Sequence, residues 1–361
     1  MKNIKNLYVI LGARPQFIKY APLSKKIQKL NTFKEIIIHT GQHYDKNMSD
    51  VFFNQLEIKS PDINLNINNV SRGEMIGLMI NRINSQFLKT KPDIVLLFGD
   101  TNSTLAGAVA ASTFNCEIIH VEAGLRSFNK EMPEEHNRIV TDHLSSILCV
   151  TSKIPEKNLI NEGFSNDNIH MTGDIMLDNF KNVEKQILSK NTFLKLGLKQ
   201  DEYILSTIHR QENTHDTKKL KSIFSTLNDV SKNIAPVLLP LHPATKNKLE
   251  NLKVDTSDII ICEPYDYINF LSLVSGSNFV ITDSGGLQKE AYYLGKKTIV
   301  LRTETEWLEL VEMKESFLVD PNNIKYLYKV LEDLNKSNTS NSHIYGKGNA
   351  ADMICDIIKN L

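Results

Sequence analysis

Cysteine is scarce in this chain, and its few cysteines form no motif. The 361 residues include four cysteines, and no two of them are spaced as a CxxC pair. The spacing therefore predicts neither a zinc site nor a disulfide framework. Cys116, Cys149 and Cys262 lie in or beside apolar runs, where buried free thiols are common.

The chain also has no excess of charge of either sign. Lysine and arginine together number 42, as do aspartate and glutamate, so the formal net charge is zero. A net charge of zero gives no indication of the basic surface that is expected of a nucleic-acid-binding protein, and no reason to expect a membrane partner. Any anionic ligand must therefore be held by a local site.

Long apolar runs are missing too. No run is long enough to span a bilayer, and the first residues lack the apolar stretch of a signal peptide. A cytoplasmic location is therefore the default expectation. The turn after the first apolar run, GARPQFIK at 12–19, is not GxGxxG, so the fingerprint of a nicotinamide-binding domain is absent.

What the chain does have is a repeated pattern of short apolar runs, polar turns and helical segments. Two such series follow one another, which predicts two α/β domains of Rossmann-like type. The hinge is placed in the Lys- and Asn-rich segment that begins at residue 178, which gives domains at 1–178 and 179–344. A last helix is expected at about 350–361.

The stretch TDSGGLQKE at 282–290 is typical of an anion site. An apolar run precedes it, Ser284 is a good N-cap, and a helix is predicted from 287 to 294. Backbone N–H groups at a glycine-rich helix N-terminus favour a phosphate, and Glu290 lies where it could bind ribose hydroxyls. A nucleotide diphosphate is the predicted ligand. A glycine-rich turn without a ligand is the alternative.

Polar residues also follow the predicted strands of the first domain. Asp100 and Glu122 come just after strands at 94–98 and 117–121, and Glu134 opens a helix. The carboxyl ends of parallel strands share one sheet edge, which is the usual ligand crevice. Helix capping by Asp100 and a favourable helix dipole for Glu134 are the alternatives.

Cations lie at the same kind of position. Arg14 is in the turn after the first strand and Lys19 is about one helical turn later, so both could reach an anion. In the second domain His209 follows a strand directly and Arg210 comes next, which makes His209 a candidate acid, base or phosphate donor. Solvated surface charge and a packed histidine are the alternatives.

Six motifs in order carry a family resemblance: GARPQFIK at 12–19, GDT at 99–101, HVEAGLR at 120–126, PEEHNR at 133–138, HRQEN at 209–213 and TDSGGLQKE at 282–290. The chain resembles the non-hydrolysing UDP-N-acetylglucosamine 2-epimerases over nearly its whole length. The resemblance implies a glycosyltransferase-B-like architecture with the nucleotide sugar in the interdomain cleft, and a C-terminal helix at 345–361 that completes the first domain.

The resemblance also implies an activity. UDP-GlcNAc and UDP-ManNAc would be interconverted by anti-elimination of UDP to a 2-acetamidoglucal and re-addition, with neither a metal nor a nicotinamide cofactor and in a homodimer. The matching catalytic positions are Asp100, Glu122, Glu134 and His209, and their division of labour stays open. The matching UDP-sugar contacts are Arg14, Lys19, Arg210, Phe270 at the uracil, Ser284, Gly285 and Gly286 at the phosphates, and Glu290 at the ribose.

Departures from the commonest bacterial pattern concern the substrate. Gln16 stands where Glu is usual and Asp174 where Asn is usual, and TETEW occupies 303–307. These features resemble the branch that includes the UDP-2,3-diacetamido-2,3-dideoxyglucuronate 2-epimerases of surface polysaccharide synthesis, so both sugars stay candidates. Gln42 and His242 match contacts of an activating second substrate molecule, but Asp45 replaces a glutamine there.

Three other functions fit the same motifs. A hydrolysing relative would release UDP and free N-acetylmannosamine, and a glycosyltransferase would need an acceptor. The alternative that is not an enzyme is a protein that binds a UDP-sugar without catalysis. Three carboxylates beside an anion argue against it, because recognition of UDP alone does not need them.

Overall fold

The computed structural model describes residues 4–42, 58–241, 243–336 and 343–361. In these ranges no helix combines the length and the apolar composition needed to cross a membrane. The four cysteines are free thiols. The chain divides into two compact units, one formed by Met1–Asn179 with His343–Leu361 and the other by Phe180–Ser342.

The N-terminal unit is built on a seven-stranded parallel sheet in the order β3-β2-β1-β4-β5-β6-β7. The strands are β1 Lys5–Leu11, β2 Phe33–His39, β3 Ile63–Asn64, β4 Ile94–Phe98, β5 Glu117–Val121, β6 Ile147–Val150 and β7 Ile169–Met171. All five residues of β4 are buried and apolar, as expected where helices cover both faces of a parallel sheet.

Within the described residues of this unit, the helices between and after these strands are α1 Arg14–Ile27, α2 Arg72–Lys89, α3 Asn102–Ala111, α4 Pro133–Leu144, α5 Lys153–Asn161 and α6 Ile175–Lys190. One apolar core lies between the sheet and α1, and another lies between the sheet and helices α2 and α3. The division between the two units falls inside α6.

The C-terminal unit repeats this plan with a six-stranded parallel sheet in the order β10-β9-β8-β11-β12-β13. Its strands are β8 Ile204–Thr207, β9 Val237–Pro240, β10 Ile259–Cys262, β11 Val280–Thr282, β12 Thr298–Val300 and β13 Ser316–Leu318. Its helices are α7 Gln211–Thr214, α8 Thr217–Asn233, α9 Pro243–Asn251, α10 Tyr267–Gly276, α11 Gly285–Tyr293, α12 Leu308–Glu312 and α13 Tyr326–Lys336. The prediction of two parallel α/β domains is confirmed.

The last helix, α14 Ala350–Lys359, belongs to the N-terminal unit. The backbone N–H groups of Ala350 and Ala351 donate to the carboxylate of Asp178 at 3.0 and 2.9 Å. Ile354 and Ile358 are fully buried in the same core as α1. The chain therefore returns to its first unit after completing the second.

Each sheet reverses its strand order once, and these points position the candidate site. In the N-terminal unit the reversal lies between neighbours β1 and β4, and in the C-terminal unit between β8 and β11. Ligands of doubly wound sheets bind outside the carboxyl ends of the strands at such points. Several of the residues predicted to act lie in the turns that follow β4, β8 and β11 or at the start of the helices that follow β1 and β11.

Candidate active site

Asp100 follows β4 and is held by an arginine. Gly99 takes a left-handed φ of +61°, and the next residue directs its carboxylate at the side chain of Arg138. Asp100 Oδ2 accepts from Arg138 Nε at 3.0 Å and Nη2 at 2.6 Å, and its side chain is 29% exposed. The N-cap of α3 is Thr101, so the interpretation of Asp100 as a helix cap is wrong.

Glu122 follows β5 and pairs with a lysine from α1. Its Oε1 lies 2.5 Å from Lys19 Nζ, and both side chains are nearly buried. A Cβ on Gly99 would stand 2.9 Å from the Lys19 ammonium, so the turn after β4 passes close to this ion pair. Lys19 and Glu122 were predicted as separate site residues, and the structure joins them in one ion pair.

Glu134 lies exposed in the first turn of α4, directly after Pro133. The same helix contacts the turn after β4, because Asn137 Nδ2 donates to the backbone carbonyl of Asp100 at 2.8 Å. Arg138 from α4 also donates to Glu135 at 2.9 Å. Helix α4 thus brings the Glu134 turn and Asp100 to the same edge of the sheet.

A buried charged network supports both carboxylate turns. His120 in β5 has its Nε2 2.7 Å from the carbonyl oxygen of Gly99 and its Nδ1 2.6 Å from Asp142 Oδ1. Arg126 lies 2.7 Å from the other oxygen of Asp142, which also accepts from the backbone of Gly124. Both ring nitrogens of His120 therefore face oxygen atoms that can accept a hydrogen bond.

The electrostatics of this network favour an ionised Asp142. Burial alone would raise the pKa of its carboxyl group, but the charges and hydrogen bonds of His120 and Arg126 outweigh burial and lower that pKa. The motif HVEAGLR contains His120 and Arg126, and neither residue was predicted to have a role. The signal was present, because polar residues in and just after a buried strand need buried partners.

Gln16 joins the turn after β1 to the end of β4. Its side-chain oxygen accepts from the backbone N–H groups of Gly12 and Ala13 at 2.8 and 3.0 Å. Its amide nitrogen donates to the Phe98 carbonyl at 3.1 Å and to Thr104 Oγ1 at 3.0 Å. A fully buried amide therefore satisfies all four bonds, which needs a group that both donates and accepts.

Of the two residues predicted to contact an activating second substrate molecule, the structure describes Gln42 but not His242. Gln42 Oε1 accepts from Ser103 N at 3.1 Å and Ser103 Oγ at 2.8 Å, at the start of α3. His242 lies outside the described residues. A second-substrate site therefore stays a prediction.

The turn after β11 has the predicted strand–turn–helix geometry. Ser284 is the N-cap of α11, and its side chain accepts from the backbone of Leu287. A Cβ on Gly285 would come within 2.4 Å of Glu306 Oε1, whereas one on Gly286 would meet no atom within 4 Å. The two glycines thus differ in what they face inside the protein.

The TETEW segment packs beneath this turn. Trp307 Nε1 donates to the carbonyl of Gly285 at 3.0 Å, and Thr305 Oγ1 donates to Gln288 in α11 at 2.9 Å. Glu306 forms a buried ion pair with Arg302 at 3.0 Å. The departure in sequence at 303–307 therefore lies directly against the predicted phosphate turn.

His209 and Arg210 meet the same strand end through Asp283. Asp283 is fully buried and accepts from the backbone N–H groups of His209 and Arg210 at 3.0–3.1 Å. His209 Nδ1 lies 3.0 Å from Asp283 Oδ1, and Asn213 Nδ2 donates to Oδ2 at 3.2 Å. Burial would raise the pKa of Asp283, but His209 and these N–H groups outweigh it and lower that pKa.

The remaining predicted residues lie on the helices of their own units. Phe270 is half-buried near the start of α10, and Glu290 is half-buried in α11. Arg14 begins α1 after β1. The structure thus brings Asp100, Glu122 and Lys19 together in one unit. In the other it brings His209, Arg210 and Ser284 together around Asp283, a residue that the sequence analysis did not assign.

Comparison with known proteins identifies the family. A family model described as UDP-N-acetylglucosamine 2-epimerase matches residues 25–359. The chain is 43% identical over 358 residues to the UDP-2,3-diacetamido-2,3-dideoxy-D-glucuronate 2-epimerase of Pseudomonas aeruginosa, covering 98% of this chain and 99% of that protein. It is 40% identical over 367 residues to a UDP-N-acetylglucosamine 2-epimerase of Methanococcus maripaludis, covering 97% of each.

A solved structure gives the same result. The UDP-GlcNAc 2-epimerase of Methanocaldococcus jannaschii, in complex with UDP-GlcNAc and UDP, matches with a TM-score of 0.89 and 36% identity, over 99% of this chain and all of that one. The resemblance drawn from the six motifs is confirmed. This chain belongs to the UDP-N-acetylglucosamine 2-epimerase family.

Proposed function

We propose that this protein is a UDP-sugar 2-epimerase that interconverts UDP-GlcNAc and UDP-ManNAc without hydrolysing them. The observation that carries the proposal is the pair of carboxylates at the ends of neighbouring strands β4 and β5, each contacted by a cation. Asp100 is held by Arg138 and Glu122 by Lys19. Pure binding of a nucleotide does not require carboxylates placed beside its negative charge.

The C-terminal unit supports a role in holding UDP. The N-terminus of α11 begins after Ser284 and offers backbone N–H groups to a diphosphate. The UDP-sugar contacts that we propose are Ser284, Gly285 and Gly286 at the phosphates, Glu290 at the ribose, Phe270 at the uracil, and the cations Arg14, Lys19 and Arg210.

The reaction that these groups serve is an elimination followed by an addition. A base removes the C2 proton, its bonding electrons form the C1–C2 double bond, and the C1–oxygen bond breaks as UDP leaves. UDP then adds back at C1 while a proton is delivered to the other face of C2. The proposed acid and base groups are Asp100, Glu122, Glu134 and His209.

The experiment that tests this proposal offers two substrates in parallel. UDP-GlcNAc and the UDP-2,3-diacetamido-2,3-dideoxyglucuronate on which the Pseudomonas relative is named to act are each incubated with the protein, and the products are separated by chromatography. Conversion of UDP-GlcNAc to UDP-ManNAc is expected. Conversion of the second sugar alone would reassign the substrate, and stoichiometric release of UDP with free sugar would replace the epimerase by a hydrolase.

We further propose that the protein acts in the cytoplasm as a homodimer and supplies a sugar for polysaccharide synthesis. The support is the family membership, because UDP-sugars of this kind are polymer precursors. Light scattering on the purified protein tests the oligomeric state, and a mass of 41.0 kDa would contradict the dimer.

A further inference from the structure

The contact between Asp283 and His209 joins two turns that come from different strands. Asp283 follows β11 directly and has no exposed surface, whereas the His209 side chain is 63% exposed. The two strands are paired in parallel, with Thr207 opposite Thr282. The hydroxyls of these two threonines lie 2.6 Å apart, and Thr282 Oγ1 accepts from the backbone of Ser284.

This contact decides which nitrogen of His209 carries the proton. An ionised carboxylate can only accept, so a hydrogen bond across this 3.0 Å separation places a proton on His209 Nδ1. In the neutral ring Nε2 then has the free lone pair and lies on the side of the ring away from Asp283. A histidine oriented in this way through its other nitrogen is the usual arrangement for an acid–base group.

We propose that Asp283 is a positioning residue for the epimerisation: it fixes the tautomer and the orientation of His209 and anchors that histidine to the strand end that carries the Ser284 turn. The inference rests on the proposed function for its kinetic consequence. Its structural part, the tautomer of His209, does not.

Asp283→Asn tests the proposal with a nearly isosteric change. The asparagine oxygen can still accept from the backbone N–H groups of His209 and Arg210, so the turn keeps a partner. The amide can instead donate to His209 Nδ1, which would move the ring proton to Nε2. We expect kcat to fall on the order of 100-fold with a much smaller change in KM.

A double-mutant cycle separates positioning from a structural role. If Asp283 acts through His209, the Asp283→Asn change should cost almost nothing further in a His209→Asn background. If Asp283→Asn lowered kcat in the His209→Asn background by the same factor as in the wild type, the proposal would be overturned. Asp216→Asn is the matched control, because Asp216 is an exposed N-cap of α8 and asparagine caps equally well.

A spectroscopic measurement completes the test and does not depend on turnover. The protein is labelled with 15N-histidine, and the His209 signals are assigned by their absence in His209→Asn. In the neutral ring, we expect the Nδ1–H tautomer in the wild type and a shift towards Nε2–H in Asp283→Asn. An Nε2–H tautomer in the wild type, or the same tautomer in both proteins, would refute the role of Asp283. A wild type that turns over neither UDP-sugar while showing Nδ1–H would refute the proposed function instead.

Discussion

Asp100 is one of the four groups that we propose to act in proton transfer. Its carboxylate accepts two hydrogen bonds from Arg138 and still keeps part of its surface exposed. An asparagine could keep one of these bonds, so the fold should survive. We therefore expect Asp100→Asn to lower kcat by about 100-fold to 10,000-fold, the range for loss of an acid–base group, while UDP affinity measured by calorimetry stays close to that of the wild type.

The control for Asp100→Asn lies at the other end of the same strand. Asp93 precedes β4, and its Oδ2 accepts from the backbone of Asn6 at 2.7 Å, a bond that an asparagine oxygen can also accept. Asp93→Asn should leave kcat unchanged. Near-native turnover of Asp100→Asn would remove Asp100 from the catalytic groups.

The two glycines of the phosphate turn give a second comparison between single residues. A Cβ at Gly285 would clash with Glu306, whose partner Arg302 is also buried, whereas a Cβ at Gly286 would meet nothing in the protein. Gly285→Ala should therefore lower both the melting temperature and the affinity for UDP. Gly286→Ala should leave the melting temperature unchanged or slightly raised, since alanine is favoured over glycine in a helix.

The affinity of Gly286→Ala for UDP shows whether the turn binds the diphosphate. If a phosphate approaches the turn closely, the added methyl group of Gly286→Ala should weaken UDP binding although the protein is no less stable. Calorimetric titration of UDP measures this directly. Unchanged affinity in Gly286→Ala would mean that the turn does not bind the diphosphate.

At the scale of elements, the strand–turn–helix units were predictable because their signals are local. Ser284 as an N-cap and Pro133 at the start of a helix follow from residue type and position alone. Strand β3 was not predicted, because two residues carry no measurable periodicity, and the three-residue strand β13 was not predicted either.

The contacts between side chains of the site could not be predicted from the sequence, because they join residues that are far apart in the chain. Lys19 and Glu122 are separated by 103 positions, and Asp283 reaches His209 across 74. Pairings of this kind depend on which strands become neighbours in the sheet. The sequence indicates that the end of a strand is polar, but it does not say which polar groups meet there.

Strand β5 and helix α4 are joined by buried charged side chains. Asp142 in α4 contacts His120 and Arg126, and its pKa is lowered despite complete burial. Because the folded pKa lies below the unfolded value of about 3.9, its stabilisation is present above that pH and is lost as the pH falls through the folded pKa. Asp142 thus stabilises the protein at neutral pH.

Asp142→Asn should therefore lower the free energy of unfolding at pH 7 by about 3–5 kcal/mol, the cost of leaving buried cations without their partner. In urea unfolding the gap to the wild type should narrow at acidic pH. Asp356→Asn removes an exposed partner of Lys359 and should leave the free energy of unfolding almost unchanged, because solvent screens such a pair. Equal effects of the two changes, or a gap that widens in acid, would contradict the role of the network.

At the scale of the whole molecule, the chain leaves its first unit at α6 and returns to it with α14. The returning helix completes the core behind α1, with Ile354 and Ile358 fully buried and Met353 40% exposed. Ile354→Ala should cost about 2–5 kcal/mol, and Met353→Ala on the same helix less than about 0.5 kcal/mol. Urea unfolding measures both, and similar costs would mean that α14 contributes little to this core.

The proposed reaction depends on one chemical event, the removal of the C2 proton as UDP leaves. Proton NMR of UDP-GlcNAc with the purified protein in deuterated water tests it most directly. We expect deuterium to enter at C2 while UDP-ManNAc forms and little free sugar appears, with both changes lost in Asp100→Asn. Formation of UDP-ManNAc without deuterium at C2, or a stoichiometric release of UDP with free sugar, would contradict the elimination and re-addition proposed here.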